Sequence, residues 1–331
     1  MPNHGRRASA GDVTHEPMKR FRIGTCGYSY PGEPPAGWWG VFYPKEGKKR
    51  PGELEFYARF FNTVEINSTF YRPATPSMAQ AWVQKTPPGF EFAVKAWQKF
   101  THPIKLGGGA DGSSNRWERF SPGDVETFIQ GIEPLADSGK LGVLLFQYPA
   151  SFRCDKESLE RVEETLGAFE RFPKVVELRH RSWSDRCNET HELLNRAQAM
   201  WAYIDEPKFA SSVKQDLEVR ADTVYIRLHG RNYQKWWEHR EPWERYDYFY
   251  QPGEIQRLAG KLKLLAAENP AAKFYVLFNN HARGQAVANG FMLKAELESN
   301  DEAKAPKALI EAFPVLKEFT PFEDFSDHKT T

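Results

Sequence analysis

Seven short apolar stretches between residues 63 and 281 share one arrangement: their polar side chains fall on a single alternating face and gather toward the C-terminal end. TVEINS sets Glu65 and Asn67 against Val64 and Ile66, and FEFAVKAW sets Lys95 against Phe90, Phe92 and Val94. LGVLLFQYP carries Gln147, KVVELRHRSW pairs Glu177 with Arg179 against Val176 and Leu178, and MWAYID ends in Asp205. TVYIRLHGRN opposes Arg227 and His229 to Val224, Ile226 and Leu228, and KFYVLFNNH reaches Asn279 with Phe274, Val276 and Phe278 behind it. Successive side chains of a strand point to opposite faces, so the polar groups share an interior while the apolar ones meet a second layer. Charges of both signs converging in one interior point to a reaction site.

FRIGTCG, residues 21 to 27, supplies an eighth strand ahead of the seven. Helical spacing recurs between the strands in ELEFYARFF (53 to 61), PSMAQAWVQK (76 to 85), DVETFIQGIEPLAD, KESLERVEETLGAFERF, ETHELLNRAQ, PGEIQRLAGKLKLLAAEN and ARGQAVANGFMLKAELES. Eight strands, each followed by a helical segment, predict a parallel sheet with crossover helices, either closed as a barrel or open and doubly wound. Polar residues at the ends of many strands favour the barrel, because an open sheet concentrates its site at one switch point. No GxGxxG follows the first strand. The expected fold class is α/β, a (β/α)8 TIM-type barrel in a single domain with long βα loops. Residues 20–298 form the barrel, 1–19 a disordered tail, and 299–331 a C-terminal extension packing on the barrel or partly disordered. The long loops are 28 to 50, 103 to 120 with its GGGADGSSN, and the aromatic-rich 231 to 251.

The 331 residues include 45 basic and 44 acidic ones, so no global field attracts nucleic acid or anionic lipid. Cys26, Cys154 and Cys187 lie far apart without CxxC spacing, which excludes a thiol-rich zinc site, argues against a disulfide framework and fits a reducing cytoplasm. Neither a signal peptide nor an apolar run long enough to span a bilayer is present, so no membrane partner is expected. Aromatics make up 14% of the chain, more than a core needs when many fall in loops, which suggests a lined groove or lid.

GTCGYSY, WWGVFYP, FFNTVEINSTFYRPA, FAVKAWQKFTH, GVLLFQYP, VVELRHRSW, YIRLHGR and LFNN, in that order, resemble the successive motifs of the YecE-like family, domain of unknown function 72. The resemblance covers roughly residues 21 to 298. It implies a TIM-type barrel. The family has no established activity, so the resemblance leaves the reaction to the residues themselves. Cys26 and Tyr28 stand where small residues and tryptophan are frequent in the family.

Glu65, Glu177 and Asp205 offer carboxylates for acid/base work, or else serve as counter-ions of Lys95, Arg179 and Arg227 in a buried network. Glu177 is the expected general base, with His229 or Glu65 as proton partner and Asp205 orienting a donor. Lys95 is either a Schiff-base amine or a paired ammonium, and adjacent carboxylates would raise its pKa and keep it charged. Arg179 and Arg227 would bind negative charge, and Asn67, Gln147, Asn279 and Asn280 would fix hydroxyls or an anion. Rings including Tyr71 and Trp183 could stack on bases or sugars. His102 and His180 complete the set expected to contact substrate; with His229, Glu177 and Asp205 they form the alternative divalent-metal constellation, which the nearby cations oppose. No cofactor is assigned.

The expected function is a hydrolase or isomerase type of acid/base chemistry on a small anionic or polyhydroxylated substrate, such as a sugar phosphate or nucleic-acid fragment. The alternatives are a non-catalytic nucleic-acid-binding barrel and a divalent-metal-dependent phosphodiesterase or endonuclease-like barrel. Oligomeric state is left open.

Overall fold

A computed structural model describes residues 20–45, 52–105, 115–297 and 304–323. The expected tail at 1–19, the basic run 48 to 50, the centre of the Gly/Ser stretch and the outer parts of 299–331 lie outside the described residues.

Among the described residues nine strands carry the fold: β1 (Phe21–Thr25), β2 (Thr63–Ile66), β3 (Glu91–Lys95), β4 (Leu141–Gln147), β5 (Lys174–Glu177), β6 (Ala199–Trp201), β7 (Tyr203–Asp205), β8 (Thr223–Leu228) and β9 (Lys273–Phe278). They make two parallel sheets, in the orders β1-β9-β8-β7 and β2-β3-β4-β5-β6. The sheets meet along both margins. Cys26 forms a parallel bridge with Glu65, and the amide of Gly27 donates to the Glu65 carbonyl at 2.8 Å. On the far side Ala202 joins β6 to β7, its amide donating to the Val176 carbonyl at 2.9 Å. A Cβ on Gly24 would lie 2.1 Å from the Thr63 carbonyl oxygen, so β1 approaches β2 there only because position 24 has no side chain. The architecture is mixed α/β with parallel sheets.

Among the described residues, these helices flank the strands: α1 (Glu53–Tyr57), α2 (Pro76–Gln84), α3 (Pro122–Asp137), α4 (Lys156–Gly167), α5 (Cys187–Arg196), α6 (Pro252–Glu268) and α7 (Gln285–Leu297). Their starts follow local chemistry. Thr75 accepts from the Met78 amide, Asp155 from the Ser158 amide, and Ser121 with Asp124 forms a reciprocal capping box. Prolines occupy the first position of α2, α3 and α6, where the missing N–H is no loss.

Two expectations fail here. The sixth strand, read as one, is divided at Ala202, and no helix follows it among the described residues. Side chains do the pairing along this margin. Gln215 receives the Ile204 amide at 3.3 Å and donates to the Ala202 carbonyl at 2.9 Å, while Lys208 donates to the Ile204 and Val213 carbonyls. Backbone groups satisfied in this way need no crossover helix to cover them.

Alternation along the strands divides the core. Val64, Ile66, Phe92, Val94, Phe146, Val176, Ile226, Phe274 and Val276 join a large cluster shared with the helices. Cys26, Ala93, Val143, Leu145, Val175, Ala202, Tyr225, Tyr275 and Leu277 form a separate cluster on the opposite face. In the C-terminal segment Leu309, Ile310, Leu316 and Phe319 are buried in the large cluster, and Phe313 stacks on Phe249 with ring centres 5.3 Å apart.

Cations, buried at Lys140 and Lys174 and partly buried at Arg20, close the C-terminal ends of three helices, where carbonyls lack intrahelical partners. Lys140 donates to the Val83 and Thr86 carbonyls beyond α2, Lys174 to the Phe169, Glu170 and Phe172 carbonyls beyond α4, and Arg20 to the Ala266, Asn269 and Ala272 carbonyls at the end of α6. Replacing Lys174 with Met removes the donor that the Phe169, Glu170 and Phe172 carbonyls share. The variant is expected to lose about 1–3 kcal/mol of unfolding free energy in urea titrations; an unchanged midpoint would show that these contacts contribute nothing.

Candidate functional site

The inward polar residues sit where their strands end. Lys95, Gln147, Glu177 and Asp205 are the last residues of β3, β4, β5 and β7, while His229 and Asn279 follow β8 and β9 directly. At the centre lies Arg227, 1% exposed. Its Nε and Nη2 donate to the two Glu65 oxygens at 2.9 and 2.7 Å. Its Nη1 donates to Glu177 Oε2 at 2.5 Å and to Gln147 Oε1 at 3.1 Å. The Tyr225 hydroxyl adds a bond to Glu65 Oε2 at 2.8 Å, and Cys26 Sγ lies 3.8 Å from Arg227 Nη2. The fork geometry of a guanidinium suits this role, since one planar group satisfies two carboxylates and an amide at once.

Glu177 and Glu65 differ in what they have left to offer. Glu65 accepts three donors. Glu177 Oε1 has no hydrogen-bond partner among the described residues, and Arg179 Nε lies 3.6 Å from it. Burial pushes the Glu177 carboxyl up, but Arg227 foremost holds it well below the usual carboxylate range, so it is ionised. Next to it His229 Nε2 stands 3.6 Å from Glu177 Oε2, also without a hydrogen-bond partner among the described residues. Asn279 Nδ2 donates to His229 Nδ1 at 2.8 Å, which leaves the ring proton on Nε2. Burial lowers the imidazole pKa to about 3 despite the neighbouring carboxylate. His229 is thus a neutral donor at physiological pH, not an imidazolium.

Lys95 departs from expectation. Its Nζ has no hydrogen bond or ion pair among the described residues and rests 4.1 Å from the centre of the Phe70 ring. Burial, and next the charge of Arg227, lower its pKa to about 8; the opposing pull of Glu65 and Glu177 is weaker because both carboxylates are engaged with Arg227.

Other expected residues fall elsewhere. Asp205 is held by Arg231, whose Nε lies 3.0 Å from both carboxylate oxygens, and by the Tyr250 hydroxyl at 2.6 Å. No side-chain hydrogen bond ties Asp205 to Glu177 or Arg227 among the described residues, so it does not orient a donor in that group. Arg179 bonds Glu206 and lies 5.6 Å from the Trp236 ring. Trp183 is fully buried with its indole N–H on the Phe152 carbonyl at 2.9 Å, which makes it a core residue with no face for a ligand. His180 caps the short helix Arg181–Asp185 by accepting from the Ser182 amide. His102 pairs with the Thr101 hydroxyl at 2.9 Å and sets its edge on Phe70. The proposed metal constellation is therefore not assembled, and among the described residues no group of three His, Cys, Asp or Glu is placed to hold a metal. Asn280 donates to the Tyr248 carbonyl and Asn289, pinning a loop, and its Oδ1 has no hydrogen-bond partner among the described residues. Asn67 is partly exposed at the end of β2, its carbonyl receiving the Phe70 amide, and Tyr71 is 71% exposed.

Tyr225 was legible, since it lies two residues before Arg227 on the same face, as Arg231 lies two after His229. Glu206 carried no such signal. The 231–251 segment covers this region: Trp236 is 2% exposed, and its ring centre and that of Tyr246 each lie 6.4 Å from that of His229.

The family described as protein of unknown function DUF72 matches residues 22–311. The UPF0759 protein YunF of Bacillus subtilis (strain 168) is 27% identical over 275 residues, covering 81% of this chain and 94% of the relative. The UPF0759 protein YecE of Escherichia coli (strain K12) is 30% identical over 110 residues, 33% of this chain and 35% of YecE. Among solved structures, a DUF72 family protein from Thermotoga maritima MSB8 aligns with a TM-score of 0.69 at 31% identity, covering 84% of this chain and 99% of that one. A DUF72 family protein from Enterococcus faecalis V583 aligns with a TM-score of 0.68 at 23% identity, covering 84% and 95%; at that identity the likeness speaks for the fold alone.

In ring-nitrogen NMR spectra His229 is expected to stay neutral, protonated on Nε2, across about pH 5 to 8. Its folded pKa lies below the unfolded one, so stability is lost as pH falls from about 6.5 toward about 3, where the unfolded ring takes a proton the native ring refuses. A ring titrating near the unperturbed value would contradict the assignment.

Proposed function

The chain belongs to the DUF72 family of proteins of unknown function, and we propose that its two parallel sheets are arcs of one (β/α)8 TIM-type barrel with an acid/base active site at the mouth. The Cys26–Glu65 bridge at one margin and the Ala202 link at the other support closure, as does an inner cluster drawn from strands of both sheets. Polar residues at the C-terminal strand ends occupy the place where such barrels carry their chemistry.

The observation that carries the reading is Glu177: an ionised, buried carboxylate with one oxygen uncommitted to any described donor, next to a neutral imidazole whose Nε2–H is equally uncommitted. Buried polar atoms left without partners are costly, and a substrate hydroxyl could satisfy both. Glu177 Oε1 would accept the proton of a hydroxyl or of an acidic carbon, and His229 would donate to the oxygen on which charge develops. Arg227, itself bonded to Gln147 Oε1, holds Glu177 in place. The substrate class is a small anionic or polyhydroxylated molecule, and the reaction type hydrolysis or isomerisation, in the cytoplasm.

Thermal-shift screening with sugar phosphates, nucleotides and nucleosides should identify a ligand that raises Tm. With a substrate in hand, Glu177→Gln is expected to lower kcat by about 10²-fold or more while Tm moves only a few degrees. Unchanged turnover would remove the base role.

A second reading rests on exposed rings: Tyr233 and Trp237 are 53% and 55% exposed, both pack on Phe209, and Arg245 lies over Trp237. Such a platform suits single-stranded nucleic acid. Affinity for oligonucleotides that falls steeply with salt is its expected signature, and absence of binding at low salt would end it.

A further inference from the structure

Among the described residues at the strand ends, the acid/base reading leaves one basic group unused, the partly buried Lys95. Other buried cations are spoken for: Arg227 by Glu65 and Glu177, Arg179 by Glu206, Lys140 by the Thr86 and Val83 oxygens, and Lys174 by three carbonyls. Lys95 alone of this set has neither a hydrogen bond nor an ion pair for its Nζ among the described residues. Its position is nonetheless fixed. Lys95 ends β3, the Thr69 hydroxyl donates to its carbonyl at 2.6 Å, and the next residue of that turn, Phe70, brings its ring to 4.1 Å from Nζ.

We infer that Lys95 is a catalytic amine that condenses with a small aldehyde or ketone, so that the substrate of this site is a carbonyl compound. The inference rests on the reading of the mouth as an acid/base active site and names its substrate class. Three features of the surroundings favour the neutral amine. An aromatic face attracts a cation weakly compared with what hydration supplies, the nearby guanidinium repels a second positive charge, and the carboxylates that would hold an ammonium are bound to Arg227. With the pKa lowered to about 8, roughly a tenth of Lys95 is free amine at neutral pH, against well under a thousandth for an exposed lysine.

The chemistry balances without a co-reactant. The Nζ lone pair adds to the carbonyl carbon and the π pair moves to oxygen, which takes up a proton from nitrogen. The carbinolamine then loses its hydroxyl as water, using one further proton, and leaves a protonated imine. Removal of the adjacent C–H proton by the ionised Glu177 sends that electron pair toward the iminium nitrogen and gives an enamine. Reprotonation at carbon and hydrolysis of the imine return the amine, and the water released on condensation is consumed. Such a cycle moves a proton next to a carbonyl, within the isomerase type of chemistry proposed above.

The test is reductive trapping on the full chain. Protein is incubated near neutral pH with glycolaldehyde or with pyruvate and sodium cyanoborohydride, and lysine modification is followed by peptide mapping. Lys95 is expected to be modified about tenfold or more faster than the exposed Lys261, with a rate that rises through a midpoint near pH 8. Modification of Lys95 no faster than of Lys261 with either carbonyl overturns the inference. Lys95→Arg should abolish the fast reaction and leave Lys261 labelling as it was; persistence of a fast site elsewhere would also overturn it. Glu177→Gln separates the two readings. Fast labelling of Lys95 in that variant with turnover lost supports both, fast labelling with turnover intact removes only the base role, and slow labelling where turnover needs Glu177 removes only the amine.

Discussion

Arg227 between Glu65 and Glu177 is the contact around which the interior is organised. A guanidinium taken out of water would be prohibitive alone, and so would an unpaired carboxylate. Together, with Gln147 and Tyr225 filling further hydrogen-bonding positions, they form one buried network inside a parallel-sheet protein. The group spans β2, β4, β5 and β8, which belong to both sheets, so the charge balance and the way the sheets face each other are one constraint. Removing a partner would leave the remaining charge both buried and unbalanced.

That constraint decides what every neighbouring group has left to offer. Because Arg227 engages both acids, Lys95 receives no counter-ion among the described residues. Because Arg227 keeps Glu177 ionised through one oxygen, the other oxygen remains a free base. His229, buried beside two arginines, gives up its charge and keeps a single donor. A base, a neutral donor and an unpaired amine therefore arise from one ion cluster, each through desolvation or a specific neighbour. The second cluster, Asp205 with Arg231, Tyr250 and Glu254, anchors the 231–251 segment and holds it over this region.

At the opposite ends of the strands the physics is plainer. Lys140, Lys174 and Arg20 satisfy helix C-terminal carbonyls, and Glu91 gathers Arg22, Lys273 and Tyr275. Each of these groups has hydrogen-bonded partners among the described residues. The contrast with Lys95, Glu177 Oε1 and His229 Nε2 separates cations and acids that hold the fold together from those left available to a ligand.

The sequence alone determined the strands and their facing, because a period of two is a local property of the backbone and survives any tertiary arrangement: Glu65, Lys95, Gln147, Glu177, Arg227, His229 and Asn279 all point where alternation sends them. It equally determined the helix starts, through Thr75, Ser121, Asp155 and the prolines beside them. It could not determine partnership. Whether Asp205 meets Arg179 or Arg231, whether Lys95 has a carboxylate, and whether Trp183 faces a ligand or the core depend on distances between strands far apart in the chain. The break at Ala202 belongs to the same class, since it is Gln215 and Lys208, arriving from beyond the strand, that replace the missing ladder and helix. Alternation fixes which face a side chain takes; only the folded chain fixes which charge it meets there, and electrostatic energies depend on that separation.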